Sequence, residues 1–111
     1  MQWLQALRQR FPQHKYAIHA AALGDQAQLP WSNLGYWQAG QQDYVAACRT
    51  LADQLAQSVN LNSKDKLLDL GCGQGASLLH WQQHYRVQYL AGVEVQAACV
   101  ATIQQHLPEL N

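Results

Sequence analysis

The sequence predicts an α/β fold in which helices come first and the opening strands of a doubly wound parallel sheet follow. A short apolar strand pattern at 66–70 runs directly into a glycine-rich stretch at 71–75 and then into a helical pattern at 76–85. A second strand pattern at 89–95 precedes a further helical pattern at 96–107. Together they form a βαβα unit, and its helical crossover makes the two strands parallel.

The residues before this unit predict helices and an aromatic loop. Apolar residues at steps of three and four predict a helix over 1–11, and 15–23 could form a second, short helix. Residues 24–40 combine turn-forming residues with large aromatic ones, so this loop must pack on the core or on a ligand. The strongest amphipathic pattern predicts a helix over 42–59. Its apolar stripe comprises Tyr44, Val45, Cys48, Leu51, Ala52, Leu55 and Val59.

Composition excludes several classes of protein. Seven basic and seven acidic side chains among 111 residues give no net charge, which argues against a nucleic-acid clamp or a polybasic membrane anchor. No apolar run is long enough to span a bilayer, and the N-terminus lacks the apolar core of a signal peptide, so we expect a cytoplasmic protein. The three cysteines lack metal-ligand or redox-motif spacing, which favours buried reduced thiols.

The glycine-rich stretch is the first candidate for chemistry. It contains no Gly-Lys-Ser/Thr sequence, which excludes a nucleoside-triphosphate P-loop, whereas Gly71, Gly73 and Ala76 formally fit a dinucleotide fingerprint. Asp69 precedes the loop, and its carboxylate opposes a pyrophosphate but suits a ligand that carries positive charge. Glu94, about twenty residues after the first glycine, can accept hydrogen bonds from ribose hydroxyls.

Three segments resemble a known family. Residues 67–75 read LLDLGCGQG and strongly resemble motif I of the class I S-adenosylmethionine-dependent methyltransferases. Residues 92–95, GVEV, resemble the acidic motif that follows in this family. Residues 33–37, NLGYW, are similar to a segment before motif I in small-molecule methyltransferases of the ubiquinone, sterol and cyclopropane-synthase type. The resemblance covers about residues 31–107, and the first 30 residues match nothing.

The resemblance implies a Rossmann-like methyltransferase fold and assigns roles in cofactor binding. Asp69 would orient the loop and meet the ammonium group of S-adenosylmethionine. Glu94 would bind the ribose diol and Val95 would pack on the adenine, while Tyr36 would cap the methionine part. The loop itself would lie against the methionine part through Gly71, Gly73, Gln74 and Gly75.

The implied activity is methyl transfer from S-adenosylmethionine to a small-molecule acceptor, an EC 2.1.1 reaction. On this interpretation residues 1–40 form a helical and aromatic-loop cap, and 41–111 form the start of the cofactor-binding domain. Two parallel strands bury little apolar surface, so we expect this chain to be the truncated, N-terminal portion of a larger domain. We expect this portion to be inactive alone. A partner chain could supply the missing strands. No catalytic base is identified, and the acceptor atom and oligomeric state stay open.

Two other functions remain possible at this point. The glycine loop could belong to the NAD(P)- or flavin-binding half of an oxidoreductase, although Asp69 speaks against it. The chain could also be a non-catalytic remnant that docks its open sheet edge on a partner. His80 and His84 are spaced as a metal pair on one helix, but with no third ligand in view we predict no metal site and a solvated face.

Overall fold

The computed structural model describes residues 18–110. The elements follow the predicted order closely. They are a short 3-10 helix Ala20–Leu23, helix α1 Tyr44–Ser58, strand β1 Lys66–Leu70, helix α2 Ala76–His84, strand β2 Tyr89–Val93 and helix α3 Ala97–His106. The helix predicted over 1–11 lies outside the described residues.

The two strands form a parallel pair, as the βαβ pattern predicts. Lys66 pairs with Tyr89 at one end of the ladder and Leu70 with Val93 at the other. Leu90 on β2 is buried in the core, whereas Leu68 and Leu70 on β1 are 57% and 75% exposed. One face of this sheet is therefore covered by protein and the other is open.

Two predicted boundaries are wrong. The short helix predicted over 15–23 is, among the described residues, a 3-10 turn that starts at Ala20. Gly24 ends it in a left-handed conformation, with φ at +91°, and the Asp25 amide donates to the Ala20 carbonyl at 3.0 Å. Strand β2 ends at Val93, two residues before the predicted end, because pairing with β1 ends at Leu70.

Helix α1 begins where Asp43 caps it. The Asp43 carboxylate accepts hydrogen bonds from the amides of Val45 and Ala46 at 2.9 and 3.3 Å. The buried row differs from the predicted stripe, because Leu55 and Val59 are exposed. A row at i, i+4 steps is buried instead, and its mostly small side chains allow close packing. That row consists of Tyr44, Cys48, Ala52 and Ala56, with Ala47 beside it.

The aromatic loop belongs to the same core as the helices. Leu29 and Trp31 are buried in one cluster with Cys48 of α1 and Leu78 of α2. Asp25 stabilises the loop conformation, because its carboxylate accepts hydrogen bonds from the Ala27 amide at 3.1 Å and from the Trp31 amide at 2.6 Å. The division of the chain at residue 40/41 stays a prediction.

His80 does not lie on a solvated face, which corrects the sequence-based prediction. It is buried, and its Nε2 atom lies 2.7 Å from Oδ1 of Asp53 on α1. The Tyr85 hydroxyl donates to the same oxygen at 2.8 Å. Although partial burial opposes it, these two hydrogen bonds lower the pKa of Asp53. His84, whose ring is tilted by 37° from that of His80 with the centroids 4.5 Å apart, is exposed.

We expect Asp53→Asn to lower the free energy of unfolding by about 1–2 kcal/mol, a value that allows for the partial exposure of the carboxylate. Because folding lowers the pKa of Asp53, its contribution is present above the unfolded value of about 3.9 and is lost as pH falls. Urea unfolding of both proteins, at neutral pH and near pH 3, measures this. The difference between them should shrink in acid. If the loss of stability in Asp53→Asn were the same at both pH values, the stabilising role of the Asp53 carboxylate would be contradicted.

Candidate functional site

The glycine loop connects β1 to α2 and depends on three left-handed residues. Gly71, Gly73 and Gly75 have φ of +74°, +59° and +96°, values that side-chain-bearing residues rarely adopt. Gly75 is also the N-cap residue of α2, so the loop lies at the positive end of that helix. The motif glycines are thus required by backbone geometry.

Two backbone hydrogen bonds join this loop to the end of β2. The amides of Gly71 and Cys72 both donate to the carbonyl of Val93, at 2.7 and 3.1 Å. Val93 immediately precedes Glu94. The loop and the acidic residue that the sequence places about twenty positions later therefore meet at one edge of the sheet.

Both predicted carboxylates lie in this region and are half-buried. Asp69 pairs in register with Gly92 on β2. Burial raises the pKa of the Asp69 carboxyl, and within residues 18–110 no ion pair to it offsets the lost hydration. Glu94 follows the end of β2. A positively charged ligand group would satisfy the Asp69 carboxylate.

Cys72 lies near both acids. Its thiol is buried, and burial together with the charges of Asp69 and Glu94 raises its pKa. Burial and the Glu94 charge likewise raise the pKa of Cys99 on α3. A thiol held protonated in this way is a poor nucleophile, which agrees with a packing role for Cys72.

The three loop glycines differ in what surrounds them. A Cβ on Gly73 would collide with Oγ of Ser32, and one on Gly75 would lie 2.7 Å from Cγ1 of Ile103 on α3. A Cβ on Gly71 would meet nothing within 4 Å. Gly73 and Gly75 therefore permit close packing inside the protein, while Gly71 leaves open space beside the loop.

The remaining predicted site residues are Gln74, Tyr36 and Val95. Gln74 is half-buried and lines a shallow pocket between the aromatic loop and α3. Tyr36 is anchored through its backbone amide, which donates to the Ala47 carbonyl at 2.8 Å, but its side chain is 46% exposed. Val95 is 89% exposed. The fold thus brings the glycines and the two acids to one sheet edge, and leaves the side chains of Tyr36 and Val95 exposed.

Two residues that support the site were not identified from the sequence. Ser32, in the aromatic loop, packs against Gly73. Gly92 makes room for Cys72, because a Cβ there would lie 2.9 Å from Sγ of Cys72 and 2.8 Å from Cδ1 of Leu78. For Gly92 the sequence did carry a usable signal, since a glycine inside a strand pattern, here 89–95, often marks close approach. Nothing in the sequence pointed to Ser32.

Within residues 18–110, no helix is long and apolar enough to cross a membrane. The same residues contain no group of three histidine, cysteine, aspartate or glutamate side chains arranged to hold a metal ion.

Comparisons with known proteins bear on the fold. No family model matches the chain. Erythromycin 3''-O-methyltransferase of Saccharopolyspora erythraea is 35% identical over 63 residues, which are 57% of this chain and 21% of that protein. The crystal structure of the [4+2]-cyclase SpnF superposes with a TM-score of 0.60 and 26% identity, over 71% of this chain and 31% of SpnF.

Coclaurine N-methyltransferase, solved with N-methylheliamine and SAH, covers nearly the whole chain. The TM-score is 0.62 at 20% identity, over 97% of this chain and 34% of that one. The chain has a class I S-adenosylmethionine-dependent methyltransferase-like fold. It spans about a third or less of the length of each of these three proteins.

The methyltransferase-like fold accounts for the order of elements at the site. In a parallel sheet the carboxyl ends of neighbouring strands lie at one edge, and ligands bind outside that edge. The glycine loop follows β1 and Glu94 follows β2, so both lie at this edge. The predicted α/β fold class is confirmed.

We expect alanine substitutions to distinguish a loop glycine that is packed inside the protein from one that is not. Gly75→Ala forces a left-handed alanine and a contact with Ile103, so it should lower the free energy of unfolding by about 2–4 kcal/mol. Gly71→Ala adds only the backbone strain, about 1–2 kcal/mol. Thermal or urea unfolding of both variants checks this. Equal losses of stability would show that Gly71 is packed inside the protein.

Proposed function

We propose that this chain binds S-adenosylmethionine and forms the cofactor-binding part of an enzyme that methylates a small molecule. The observation that carries the proposal is the meeting of the glycine loop with Asp69 and Glu94 at one sheet edge. A methyltransferase relative over 63 residues and a neighbouring structure solved with SAH support it. We assign the reaction to the EC 2.1.1 type.

The described residues fit this cofactor. The carboxyl group of Asp69 lacks an ion-pair partner within the described residues and suits the ammonium group of the methionine part. Glu94 can accept hydrogen bonds from the two ribose hydroxyls. The space beside Gly71 admits a ligand close to the backbone. In this proposal Gly73, Gln74 and Gly75 shape the loop, Tyr36 caps the methionine part and Val95 packs on the adenine.

The bound cofactor would supply a methyl group on a sulfonium, activated for in-line displacement by a nucleophilic atom of the acceptor. The contribution of this chain is binding and alignment. The loop fixes the methionine end and Glu94 fixes the ribose, which limits the directions in which the methyl group can point. With Asp69 and Glu94 assigned to the cofactor, we assign no acceptor base within residues 18–110, and we propose no appreciable turnover by this chain alone.

The open face of the sheet supports a requirement for further polypeptide. Leu68, Leu70, Tyr89 and Val93 are each more than half exposed on the face opposite the helices. Parallel sheets are normally covered on both faces. We propose that additional strands and helices cover this face in the active enzyme, either in the same polypeptide or in a partner chain.

The first experiment distinguishes the cofactor classes. Isothermal titration of the chain with SAH should show saturable binding, and titration with NADH should show none, because a pyrophosphate would meet the Asp69 carboxylate. Binding of NADH without binding of SAH would instead assign the chain to the oxidoreductase class. Transfer of labelled methyl groups by the purified chain alone would contradict the proposed lack of turnover.

Glu94→Gln should weaken SAH binding about tenfold or more, because it removes the charge that strengthens the hydrogen bonds from the ribose. The matched control is Glu109→Gln, which alters an exposed acid beyond α3 and should change the affinity by less than about twofold. Titration of both variants measures this. Unchanged affinity in Glu94→Gln would remove Glu94 from the site.

The affinity for SAH should fall as pH decreases. Burial raises the pKa of Asp69, so its carboxylate takes up a proton at a higher pH than usual and loses its attraction for the ligand ammonium. Titrations from neutral pH down to about pH 4 measure the slope. Asp69→Asn should bind more weakly at neutral pH and lose this part of the slope. An unaltered slope in that variant would assign the pH dependence to another group.

A further inference from the structure

Residues 34–37, called the aromatic turn here, expose large apolar side chains close to the glycine loop. Leu34 is 79% exposed and Trp37 is 50% exposed, and Tyr36 lies between them. An exposed apolar cluster of this kind commonly marks a binding surface. The cofactor roles proposed above use only Tyr36 from this turn.

The aromatic turn is held in one conformation by its own hydrogen bonds. The indole Nε1 of Trp37 donates to the Leu34 carbonyl at 2.8 Å, and the Gly35 amide donates to Oδ1 of Asn33 at 2.7 Å. The Tyr36 amide donates to Ala47 of α1. Binding to a preorganised aromatic surface costs little conformational entropy, since the side chains are ordered in advance.

Neighbouring contacts place the aromatic turn beside the glycine loop. Ser32, two residues before Leu34, lies against Gly73. The Tyr44 hydroxyl at the start of α1 donates to the Asn33 carbonyl at 2.8 Å, which fixes the backbone between Ser32 and the turn. A molecule bound on the turn would therefore lie close to the loop.

The aromatic turn and the residues that flank it along the chain carry no charged side chain. Residues 26–42 contain no acidic, basic or histidine side chain. The flanking acids are engaged, because Asp25 is buried under the Trp31 amide and Asp43 caps α1. A charged partner would lose hydration on these residues without gaining an ion pair from them, whereas an uncharged ring system would lose little.

We propose that the aromatic turn binds an uncharged, flat, ring-bearing small molecule, and that this molecule is the methyl acceptor. Trp37 and Leu34 provide the contact surface, and Trp37 determines the preference for a ring. The identity of the molecule as acceptor rests on the proposed function, while the binding preference stands on the turn itself.

The test follows the Trp37 indole N–H signal of the whole chain in nitrogen-15 NMR, assigned with Trp37→Phe. The probes share one ring system: uncharged 2-naphthol, anionic 2-naphthoate and cationic 2-naphthylmethylammonium. We expect 2-naphthol to shift this signal saturably and to bind more tightly than either charged probe. Both Trp37 variants lack this indole signal, so their affinity for 2-naphthol is measured by isothermal titration beside that of the natural chain. Trp37→Ala should weaken binding by about threefold to tenfold, and Trp37→Phe should retain most of it.

Tyr89→Ala is the matched control, because Tyr89 is a similarly exposed aromatic residue on the open sheet face. It should leave 2-naphthol binding unchanged, and titration with SAH should give the same affinity in Trp37→Ala as in the natural chain. Equal binding of all three probes, or an unchanged affinity in Trp37→Ala, would overturn the proposal. If 2-naphthol binds at the turn but SAH does not bind to the chain, the assignment as acceptor is overturned together with the proposed function.

Discussion

The convergence of two backbone amides on the carbonyl of Val93 is the contact on which the site depends. It joins the loop after β1 to the end of β2, so the two strand ends act as one rigid edge. The geometry requires Gly71 in a left-handed conformation. It also requires the close approach of Cys72 to Gly92. Without these two hydrogen bonds, the strand pairing of Leu70 with Val93 would be left to connect the loop to the residue before Glu94.

The carboxylates of Asp53 and Asp69 lie in opposite electrostatic environments. Asp53 receives hydrogen bonds from His80 and Tyr85, and its charge is stabilised inside the protein. Asp69 is partly desolvated without an ion-pair partner among the described residues, and its charge is destabilised. The first arrangement connects α1 to α2 and contributes to stability. The second is typical of a group that completes its interactions with a ligand.

Two apolar surfaces are exposed, and they differ in kind. The open sheet face is flat and lies across both strands, which suits a layer of further secondary structure. The aromatic turn is small, rigid and adjacent to the glycine loop, which suits a small molecule. A single chain can therefore present a surface for polypeptide on one side and a surface for a ligand on the other.

The sequence by itself determined the βαβα order, the strand at 66–70, the glycine loop and the two acids, because these depend on local periodicity and on backbone conformations that only glycine adopts easily. Only the tertiary structure decided that His80 is buried against Asp53, that α1 buries Ala56 rather than Leu55, and that Ser32 lies against Gly73. Each of these is a contact between residues distant along the chain. Such contacts depend on how the helices pack, and helical periodicity specifies only an approximate buried face, without the partner that covers it.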